Sequence, residues 1–501
     1  MSVWLLGDQL HPDAAPLGSA DHVLLIEAHA FAERRPYHPQ KLTLVFSAMR
    51  HFRDDLRDRG YDVTYLQAET FGDALDRYFE VNPGDDLLGL RSPSHGADDR
   101  RRELVSERGG TLTLVENDLF LTSREQFDDW AGERDENETF RQEGWYRHVR
   151  RETGILMDGD EPVGGAWNYD EDNRETPPPE WTPPDVPRFE PDATTREVQQ
   201  FVADRYGGHW GAMDEFVWPV TREAATRALE HFVSVRLPEF GTYQDAMRDG
   251  EWALCHSLLS AALNLGLLRA REVVEPVVAA YESGDAPLNS VEGFVRQVIG
   301  WREFMRHVYR RAMPNLGSAN QLGQTASLPP LYWDGETEMQ CLSEAVTHVH
   351  DHGYAHHIER LMLLSNFALL YGVDPAELNE WFHLGFVDAY HWVTTPNVVG
   401  MGSFGTDVLS SKPYAASANY VDKMSDHCSA CPYAKTKTTG ENACPFNALY
   451  WDFLKRNEET LRGTGRMGLM YSHVDRKDDA ELEAIRERAD EVRERAADGS
   501  L

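Results

Sequence analysis

Three of the five cysteines in this chain, Cys428, Cys431 and Cys444, lie close together near its carboxyl end. Thiolates at a C-x2-C spacing can reach one metal centre from a single turn, and the third can close a short loop back to it. A tetrahedral thiolate site needs a fourth sulfur, which Cys341 or Cys255 could supply. A structural zinc site and an iron–sulfur cluster both fit this pattern. A disulfide framework fits less well, because the number of cysteines is odd and a chain of 501 residues can bury its own core.

The chain is strongly acidic, and its positive charge is almost all arginine. The formal net charge is −35, and only seven of the 49 basic residues are lysines, six of them after residue 411. A carboxylate-rich, lysine-poor surface is expected of a protein that works in strong salt, where screening weakens self-repulsion. Such a surface disfavours nucleic acid as a partner, but a local basic patch could still bind it.

The length and the ends of the sequence limit the class of protein. The first residues contain no basic segment followed by an apolar run, and the chain has no apolar stretch of 18 residues. The sequence therefore predicts a soluble, cytoplasmic protein with no membrane contact. Its length predicts two to four domains, and we expect a monomer.

Short apolar runs alternate with helical patterns over the first 120 residues. Strands are predicted at 3–6, 22–26, 63–66, 87–90 and 112–115, with helices at 46–59 and 71–79. This alternation predicts a parallel sheet with helices on both faces. No G-x-G-x-x-G motif follows the first strand, so a dinucleotide fingerprint is absent.

The remaining sequence divides by composition. We predict an α/β domain over residues 1–130, a linker over 131–195 whose prolines favour extended chain, and a large all-helical domain over 196–475. A charged C-terminal helix is predicted over 476–501. Because charge falls on every face of Asp478 to Asp498, we expect this helix to be solvated.

The helical region contains several polar and aromatic motifs in a distinctive order. They are His256-Ser257-Leu258-Leu259-Ser260, Gly300-Trp301-Arg302-Glu303-Phe304, His356-His357 through Phe367, Trp381-Phe382, Asp388-Ala389-Tyr390, Pro396-Asn397, Gly405-Thr406-Asp407 and Lys412-Pro413-Tyr414. From Gly7-Asp8-Gln9-Leu10 to Asn447 through Asp452, the chain resembles the photolyase/cryptochrome flavoproteins. It looks most like their prokaryotic iron–sulfur branch, the bacterial (6-4) photolyases and related cryptochromes. The resemblance implies a Rossmann-like antenna domain, a linker and a helical FAD-binding domain.

The resemblance implies two cofactors in the helical domain. A [4Fe–4S] cluster would be held by Cys341, Cys428, Cys431 and Cys444, which leaves Cys255 as an unused thiol; zinc remains an alternative occupant. FAD would be folded in a U, with its phosphates at a helix start. By itself, the matching turn would read as an ordinary N-cap. The implied FAD contacts are Gln244, Asp245, His256, Ser257, Leu258, Leu259, Ser260, Trp301, Arg302, Arg360, Asn366, Asp388 and Asn397.

The resemblance also implies catalytic roles. His357, with His356 beside it, matches the histidine that gives a proton to the lesion in (6-4) photolyases, a task that suits an imidazole pKa. Trp381, Trp333 and Tyr390 match the aromatic residues used for flavin photoreduction, although core packing is the commoner role of a buried tryptophan. The resemblance marks two further positions: Tyr414 matches a residue near the substrate cavity, and Thr394 stands where bacterial relatives tend to carry a glutamate near the flavin.

Two further ligands follow from the resemblance. The first is UV-damaged DNA, with the lesion flipped out of the duplex. Lys412, Lys423, Lys435 and Lys437 could face its phosphates, and the loop with Trp167 and Arg174 lies on the DNA side in relatives. The second is a 6,7-dimethyl-8-ribityllumazine antenna in the α/β domain. Asp8, Gln9 and Glu27 lie near predicted strand ends, where such sheets bind ligands.

Three functions therefore remain to be compared. The favoured one is a light-driven (6-4) photolyase, because the flavin constellation is complete and His357 is present. A cryptochrome photoreceptor would use the same residues with little repair. An iron–sulfur DNA-binding module without photochemistry would lack the flavin.

Overall fold

The computed structural model describes residues 1–132, 139–464 and 467–501. Part of the predicted linker, 133–138, and part of the predicted helical domain, 465–466, lie outside the described residues. None of the helices in the described ranges has the length and apolar character that crossing a membrane requires.

A five-stranded parallel sheet forms the amino-terminal domain. Its strands are β1 (Ser2–Leu5), β2 (His22–Ala28), β3 (Asp62–Ala68), β4 (Asp86–Leu90) and β5 (Thr111–Val115). They are ordered β3-β2-β1-β4-β5, and every neighbouring pair is parallel. The five predicted strands and the predicted sheet are confirmed.

The two faces of this sheet pack differently. Trp4 and Leu24 point to one face, where they pack with apolar side chains of the flanking helices. Val3 and Leu25 point to the other face and belong to a core that continues into the helical region through Trp145 and Phe294. Because that core crosses the domain boundary, one face of the sheet packs directly against the helical region.

Helices dominate the rest of the described chain. In chain order the helices are α1 (Ala30–Arg34), α2 (Pro39–Asp58), α3 (Phe71–Val81), α4 (Ala97–Ser106), α5 (Arg124–Ala131), α6 (Gln142–Thr153), α7 (Ala193–Tyr206), α8 (Arg222–His231), α9 (Leu237–Phe240), α10 (Ser260–Leu265), α11 (Ala270–Ser283), α12 (Leu288–Val295), α13 (Glu303–Ala312), α14 (Leu331–Asp334), α15 (Gln340–His352), α16 (Asn366–Tyr371), α17 (Pro375–Gly385), α18 (His391–Thr395), α19 (Ala418–Met424), α20 (Pro445–Arg456), α21 (Glu458–Leu461), α22 (Gly468–Val474) and α23 (Asp479–Asp498). A short hairpin pairs β6 (Met157–Asp158) with β7 (Glu161–Pro162), and residues 173–192 form neither helix nor strand.

Within the described ranges, four π-helical turns interrupt or extend these helices. They lie at Phe232–Arg236, Arg296–Arg302, Glu359–Ser365 and Pro396–Gly402. A π turn inserts one residue into a helix and is found frequently at functional sites.

The C-terminal helix α23 is not solvated on every face, so that expectation is wrong. Ile485, Ala489, Val492 and Ala496 are buried, and the helix packs against α20. Their spacing of three and four residues forms an apolar stripe on one face of the helix. The many charged residues between them make the segment look polar on all faces when only its composition is considered.

Candidate active-site cavity and cysteine cluster

A cavity of about 280 Å³ opens within the helical region. Three of the four π turns contribute to its wall, through Trp301, Arg360 and Asn397 among others. Three separate segments thus present widened turns to one space. Most of the lining is apolar, with a few convergent polar groups, which is typical of a cofactor site.

An ion pair between Arg360 and Asp388 lies on the cavity wall. Arg360 donates from both terminal nitrogens to the Asp388 carboxylate, at 3.0 and 3.1 Å. Ser260 donates to the same carboxylate at 2.6 Å, and Asn264 donates to the Asp388 carbonyl at 2.9 Å. These contacts hold Asp388 in one orientation and leave a fixed guanidinium at the cavity, where it can stabilise a bound anion.

Trp301, Arg302 and Asn397 line the cavity, as the resemblance implies. The Trp301 indole donates to the Asn397 side-chain oxygen at 2.9 Å, and Asn397 donates to the Val393 carbonyl at 2.7 Å. Arg302 lies against the ring of Phe120, 4.4 Å from its centroid. Its Nη1 atom is buried and has no hydrogen-bond partner in the described structure, so it can bind a ligand atom.

The predicted phosphate turn is divided between cavity and core. His256, Ser257 and Ser260 line the cavity, as does Gln244. The buried His256 Nε2 atom has no partner among the described residues, which again suits a polar ligand.

Several implied contacts lie elsewhere. Leu258 and Leu259 pack in the apolar core, and Leu258 has a left-handed φ of 59°. Asp245 lies 3.6 Å from Arg174, and burial raises its pKa to about 6. Asn366 is buried and exchanges two hydrogen bonds of 3.0 Å with the main chain of Ala416, so its amide fixes that segment.

His357 lines the cavity, and its side chain is exposed. Desolvation by the surrounding cavity wall, with the positive charge of Arg360 nearby, lowers its pKa to about 4. The imidazole is therefore neutral near pH 7 in the ligand-free protein, and a negatively charged ligand would be needed to raise its pKa. His356 is buried, and its ring stacks on His256 at 4.7 Å between centroids.

A buried ion pair supports this histidine segment. His348 Nδ1 lies 2.9 Å from Glu359 Oε1, and Glu359 accepts a hydrogen bond of 3.1 Å from the backbone N–H of His356. Burial disfavours both charges, but Glu359 and Glu344 raise the pKa of His348 to about 10. Burial likewise opposes ionisation of Glu359, but His356 and His348 lower its pKa to about 2.

Replacing Glu359 with glutamine should destabilise the protein by about 1.5–3 kcal/mol, because it removes the shorter carboxylate contact of the buried His348 and leaves only Glu344, at 3.5 Å. The Glu359 contribution is present above its ordinary pKa of 4.5 and is lost as the pH falls through about 2. The His348 contribution is present below its ordinary pKa of 6.5 and is lost as the pH rises through about 10. Denaturant unfolding should therefore give the largest difference between about pH 4.5 and 6.5. The same change at the exposed Glu336 is the control; an equal loss there would contradict the ion-pair role.

Two of the predicted electron-transfer residues are joined by a third tryptophan. Trp381 is buried and lies 5.8 Å from Phe386, which lines the cavity. Trp210 lies 6.1 Å from Trp381 and 5.5 Å from Trp333, measured between ring centroids. Trp333 is 38% exposed, so the three indoles lead from the cavity wall to the surface. No sequence motif marks Trp210, and we did not predict it.

The other two aromatic positions lie apart from this path. Tyr390 lies on the side of the α/β domain, with Lys41 Nζ 5.8 Å from its ring centroid. Tyr414 is 37% exposed. Thr394 lines the cavity.

The four predicted metal ligands meet in one place. Cys341, Cys428, Cys431 and Cys444 line a second, small cavity together with apolar side chains. Burial raises the pKa of Cys341, and the three other thiols raise it further, as expected for sulfurs that face each other. Cys255 lies in the other core, and all five cysteines are free thiols.

The cysteine cavity can be tested against the candidate metals. In the described ranges, no three His, Cys, Asp or Glu side chains converge in a way that could hold a single ion. The four thiols line one small cavity. Four thiolates are the ligand set both of a cubane iron–sulfur cluster and of a tetrahedral zinc ion, so the donor set fits either centre.

The predicted antenna residues lie at strand ends, but two of them make internal bonds. The carboxylate of Glu27 accepts from Arg50 at 2.9 and 3.0 Å, and also contacts His29, Tyr65 and Gln67. Gln9 donates to the carbonyl of Leu90 at 3.4 Å. Both side chains therefore stabilise the fold. Asp8 has a buried oxygen that lacks a partner within the described chain, and burial raises its pKa to about 6.

The predicted DNA-facing groups are exposed or lie near the surface. Lys412, Lys423, Lys435 and Lys437 are exposed, with Lys435 paired to Asp422. The ring of Trp167 is surrounded by the guanidinium groups of Arg147, Arg150 and Arg151, at 5.2, 5.2 and 4.7 Å. Arginine is therefore concentrated locally on an acidic protein.

Sequence comparisons find close relatives of the chain. The family model described as deoxyribodipyrimidine photo-lyase-related protein matches residues 3–218. A protein of Agrobacterium fabrum named (6-4) photolyase is 42% identical over 481 residues, which cover 94% of each chain.

Solved structures share the fold. A bacterial class III photolyase from Agrobacterium tumefaciens aligns with a TM-score of 0.61 over 99% of this chain and 96% of its own, at 14% identity. An archaeal photolyase from Sulfolobus tokodaii, solved with two FAD molecules, aligns with a TM-score of 0.56 over 99% and 100%, also at 14% identity. The confirmed architecture is a parallel α/β domain followed by a largely helical region.

Proposed function

The chain belongs to the photolyase family, and on this premise we propose that it reverses (6-4) pyrimidine lesions in DNA with light. The cavity that contains His357 together with the Arg360–Asp388 pair is the single observation on which the proposal depends. It combines a proton-transfer group and a fixed cation in one cavity.

We propose FAD as the cofactor of this cavity. The apolar wall suits an aromatic ring system, and the buried His256 Nε2 and Arg302 Nη1 atoms, which make no hydrogen bond within the described residues, suit its polar groups. When bound, FAD would absorb light and supply the electron for repair. Arg360 would hold a positive charge beside the ring, and Asp388 would keep that guanidinium in place.

His357 would act on the lesion. Its ring faces the open cavity, so a flipped-out base could approach it. The imidazole would give its proton to the oxygen substituent of the lesion and recover a proton afterwards. Because its pKa is about 4 in the free protein, binding of the anionic substrate would have to promote its protonation.

We further propose a [4Fe–4S] cluster at Cys341, Cys428, Cys431 and Cys444, with a structural role. The shared cavity of the four thiols supports this. We also propose that a lumazine antenna binds at Asp8. Gln9 and Glu27 would hold the ends of the strands around this site through their internal hydrogen bonds. UV-damaged DNA would bind through Arg147 and Arg151 beside Trp167 and through the four exposed lysines. The acidic remainder suits work in strong salt.

The proposed function can be tested by repair under light. The purified, chemically reduced protein is illuminated with duplexes that carry a (6-4) lesion or a cyclobutane dimer, and restored pyrimidines are quantified by chromatography. We expect restoration of the (6-4) substrate only under light. If neither lesion is repaired although the flavin photoreduces, the proposal is wrong and the photoreceptor alternative takes its place. A purified protein that binds no flavin would support the DNA-binding module.

Replacing Trp210 with phenylalanine should slow photoreduction of the flavin by an external thiol as severely as replacing Trp381. The reason is geometric: Trp210 lies between Trp381 and the exposed Trp333. Photoreduction is followed by the loss of flavin absorbance under blue light. Trp451→Phe, at a tryptophan that packs on Tyr450 outside this path, is the control. Wild-type photoreduction in the Trp210 variant would exclude it as an intermediate.

A further inference from the structure

The single lysine among the first 411 residues is buried between the two domains. Lys41 lies in the first turn of α2, in the α/β domain, and is 6% exposed. The other six lysines follow residue 411. In a chain that otherwise uses arginine, a buried lysine at this interface requires a physical explanation, because burying an ammonium group is costly.

The ammonium group of Lys41 bonds two main-chain carbonyls of the helical region. Nζ donates to the carbonyl of His383 at 2.9 Å and to that of Ala389 at 2.7 Å. It also lies 4.6 Å from the ring centroid of Tyr37. A compact ammonium with three donors fits between two carbonyls, whereas the flat guanidinium of arginine does not have this geometry.

These two carbonyls flank the residue that orients Arg360. His383 lies in the last turn of α17, where free carbonyls and the helix dipole favour a cation. Ala389 directly follows Asp388 and lines the cavity. Lys41 therefore bonds both ends of the segment 383–389, and Asp388 lies within this segment.

The residues just before α2 also contact α17. The backbone N–H of His38 donates to the Leu384 carbonyl at 2.9 Å, and Arg35 pairs with Glu380 at 3.0 Å. The Tyr37 hydroxyl lies 3.3 Å from the His383 ring. Among these four residues, Arg35, Tyr37, His38 and Lys41, the described contacts show a bond to Ala389, the residue after Asp388, from Lys41.

We propose that Lys41 is a positioning residue of the flavin site: it fixes the Asp388 segment from the opposite domain and adds a second positive charge behind the Arg360–Asp388 pair. This inference rests on the proposed flavin cavity but not on the lesion that the enzyme repairs. Through Asp388 it sets the orientation of Arg360. Through its charge it favours the anionic reduced flavin.

The groups that face Lys41 determine when it is charged. Burial lowers its pKa to about 7; Asp388 and Glu380 act to raise the pKa, and Arg35 acts to lower it. The neighbouring Tyr37, Tyr390 and His383 are neutral near pH 7, since burial raises the pKa of both tyrosines and lowers that of the histidine. The ammonium is thus lost as the pH rises through the neutral range.

The positioning role can be measured without flavin. Lys41→Met should fold, because an apolar side chain of similar volume replaces a buried charge. Hydrogen exchange of the amides of residues 384–391, followed by mass spectrometry of the apoprotein, should become at least about tenfold faster in this variant. Lys41→Gln keeps a donor and should restore part of the protection. Lys455→Met, at an exposed lysine, should match the wild type.

The charge role has a separate readout. In the reconstituted protein, Lys41→Met and Lys41→Gln should lower the preference for reduced over oxidised flavin about tenfold, a shift of about 30 mV for a two-electron couple. Lys41→Arg keeps a positive charge, so its potential should stay above that of Lys41→Met. The wild-type potential should also fall more steeply as the pH rises through about 7 than that of Lys41→Met.

The outcomes separate this inference from the proposed function. Unchanged exchange of residues 384–391 in Lys41→Met would overturn the positioning role, and an unchanged flavin potential would overturn the charge role. Either result could occur in a protein that repairs (6-4) lesions normally. Conversely, a wild-type protein that binds flavin but repairs no lesion would contradict the proposed function and leave the Lys41 effects measurable. If Lys41→Met does not fold, Lys41→Gln, which removes the charge and keeps a donor, takes its place: wild-type exchange together with a wild-type flavin potential in that variant would overturn the inference.

Discussion

Replacing His357 with asparagine should lower light-driven repair of a (6-4) lesion by about 10²–10⁴-fold, the usual contribution of a general acid. Asparagine keeps polar atoms at the cavity but cannot supply a proton by titration. The flavin should remain bound, because the Arg360–Asp388 pair and the cavity wall are unchanged. Repair under single-turnover illumination and flavin absorbance of the same sample give the two quantities.

The pH dependence of repair offers a second view of the same residue. Because enclosure and Arg360 lower the pKa of His357 to about 4, its protonated fraction in the free protein grows as the pH falls. Repair at limiting substrate should therefore increase from pH 9 toward pH 6 in the wild type and be flat in His357→Asn. A substitution to asparagine at His352, which stacks on Trp252 outside the cavity lining, is the control. Undiminished repair in His357→Asn would remove this histidine from the mechanism.

Replacing Cys444 with serine should abolish iron binding and destabilise the protein by more than about 4 kcal/mol. Such a loss is expected when a buried structural metal centre is removed. The thiol is buried at the start of α20, in the core cluster that also contains Cys341 and residues of α15 and α20, so an empty centre would leave a polar gap there. Iron and sulfide analysis after anaerobic purification, combined with thermal unfolding, measures both effects.

The remaining cysteine provides the matched control. Cys255 is buried like Cys444 but lies in a different core cluster. Cys255→Ser should keep the wild-type iron content and show only the smaller cost of a buried hydroxyl, about 1–3 kcal/mol. One zinc ion per wild-type chain, without sulfide, would favour the structural zinc site instead.

The sheet could be predicted from sequence because its strands are short, continuous apolar runs. Val3 to Leu5 and Leu87 to Leu90 have no other stable environment than a sheet covered on both faces. The α23 stripe was missed because charged residues surround Ala489 and Val492 on the linear sequence, although the three- and four-residue spacing was present.

The site was predicted in part, and the misses have a common cause. Motif order identified the residues that line the cavity, such as Arg360 and Asp388. It could not tell that Asn366 binds the main chain of Ala416, since an asparagine looks the same in either role. Trp210 and Lys41 lie far from the other site residues in the sequence, and only the folded chain brings them into contact with Trp381 and Ala389. The sequence did show that Lys41 is isolated from the other lysines, which could have drawn attention to it.

Finally, the three π turns around the cavity affect how the protein can tolerate changes in length. Each of these helices contains one residue more than an α-helical register would need. Deletion of one residue there would restore a regular α-helix and keep the backbone hydrogen bonds of the flanking turns. The cavity wall would then follow the narrower α-helical turn. Elsewhere in a buried helix the same deletion would rotate every later side chain by about 100°. Single-residue deletions at these turns are therefore a route by which relatives could acquire cavities of different size on one scaffold.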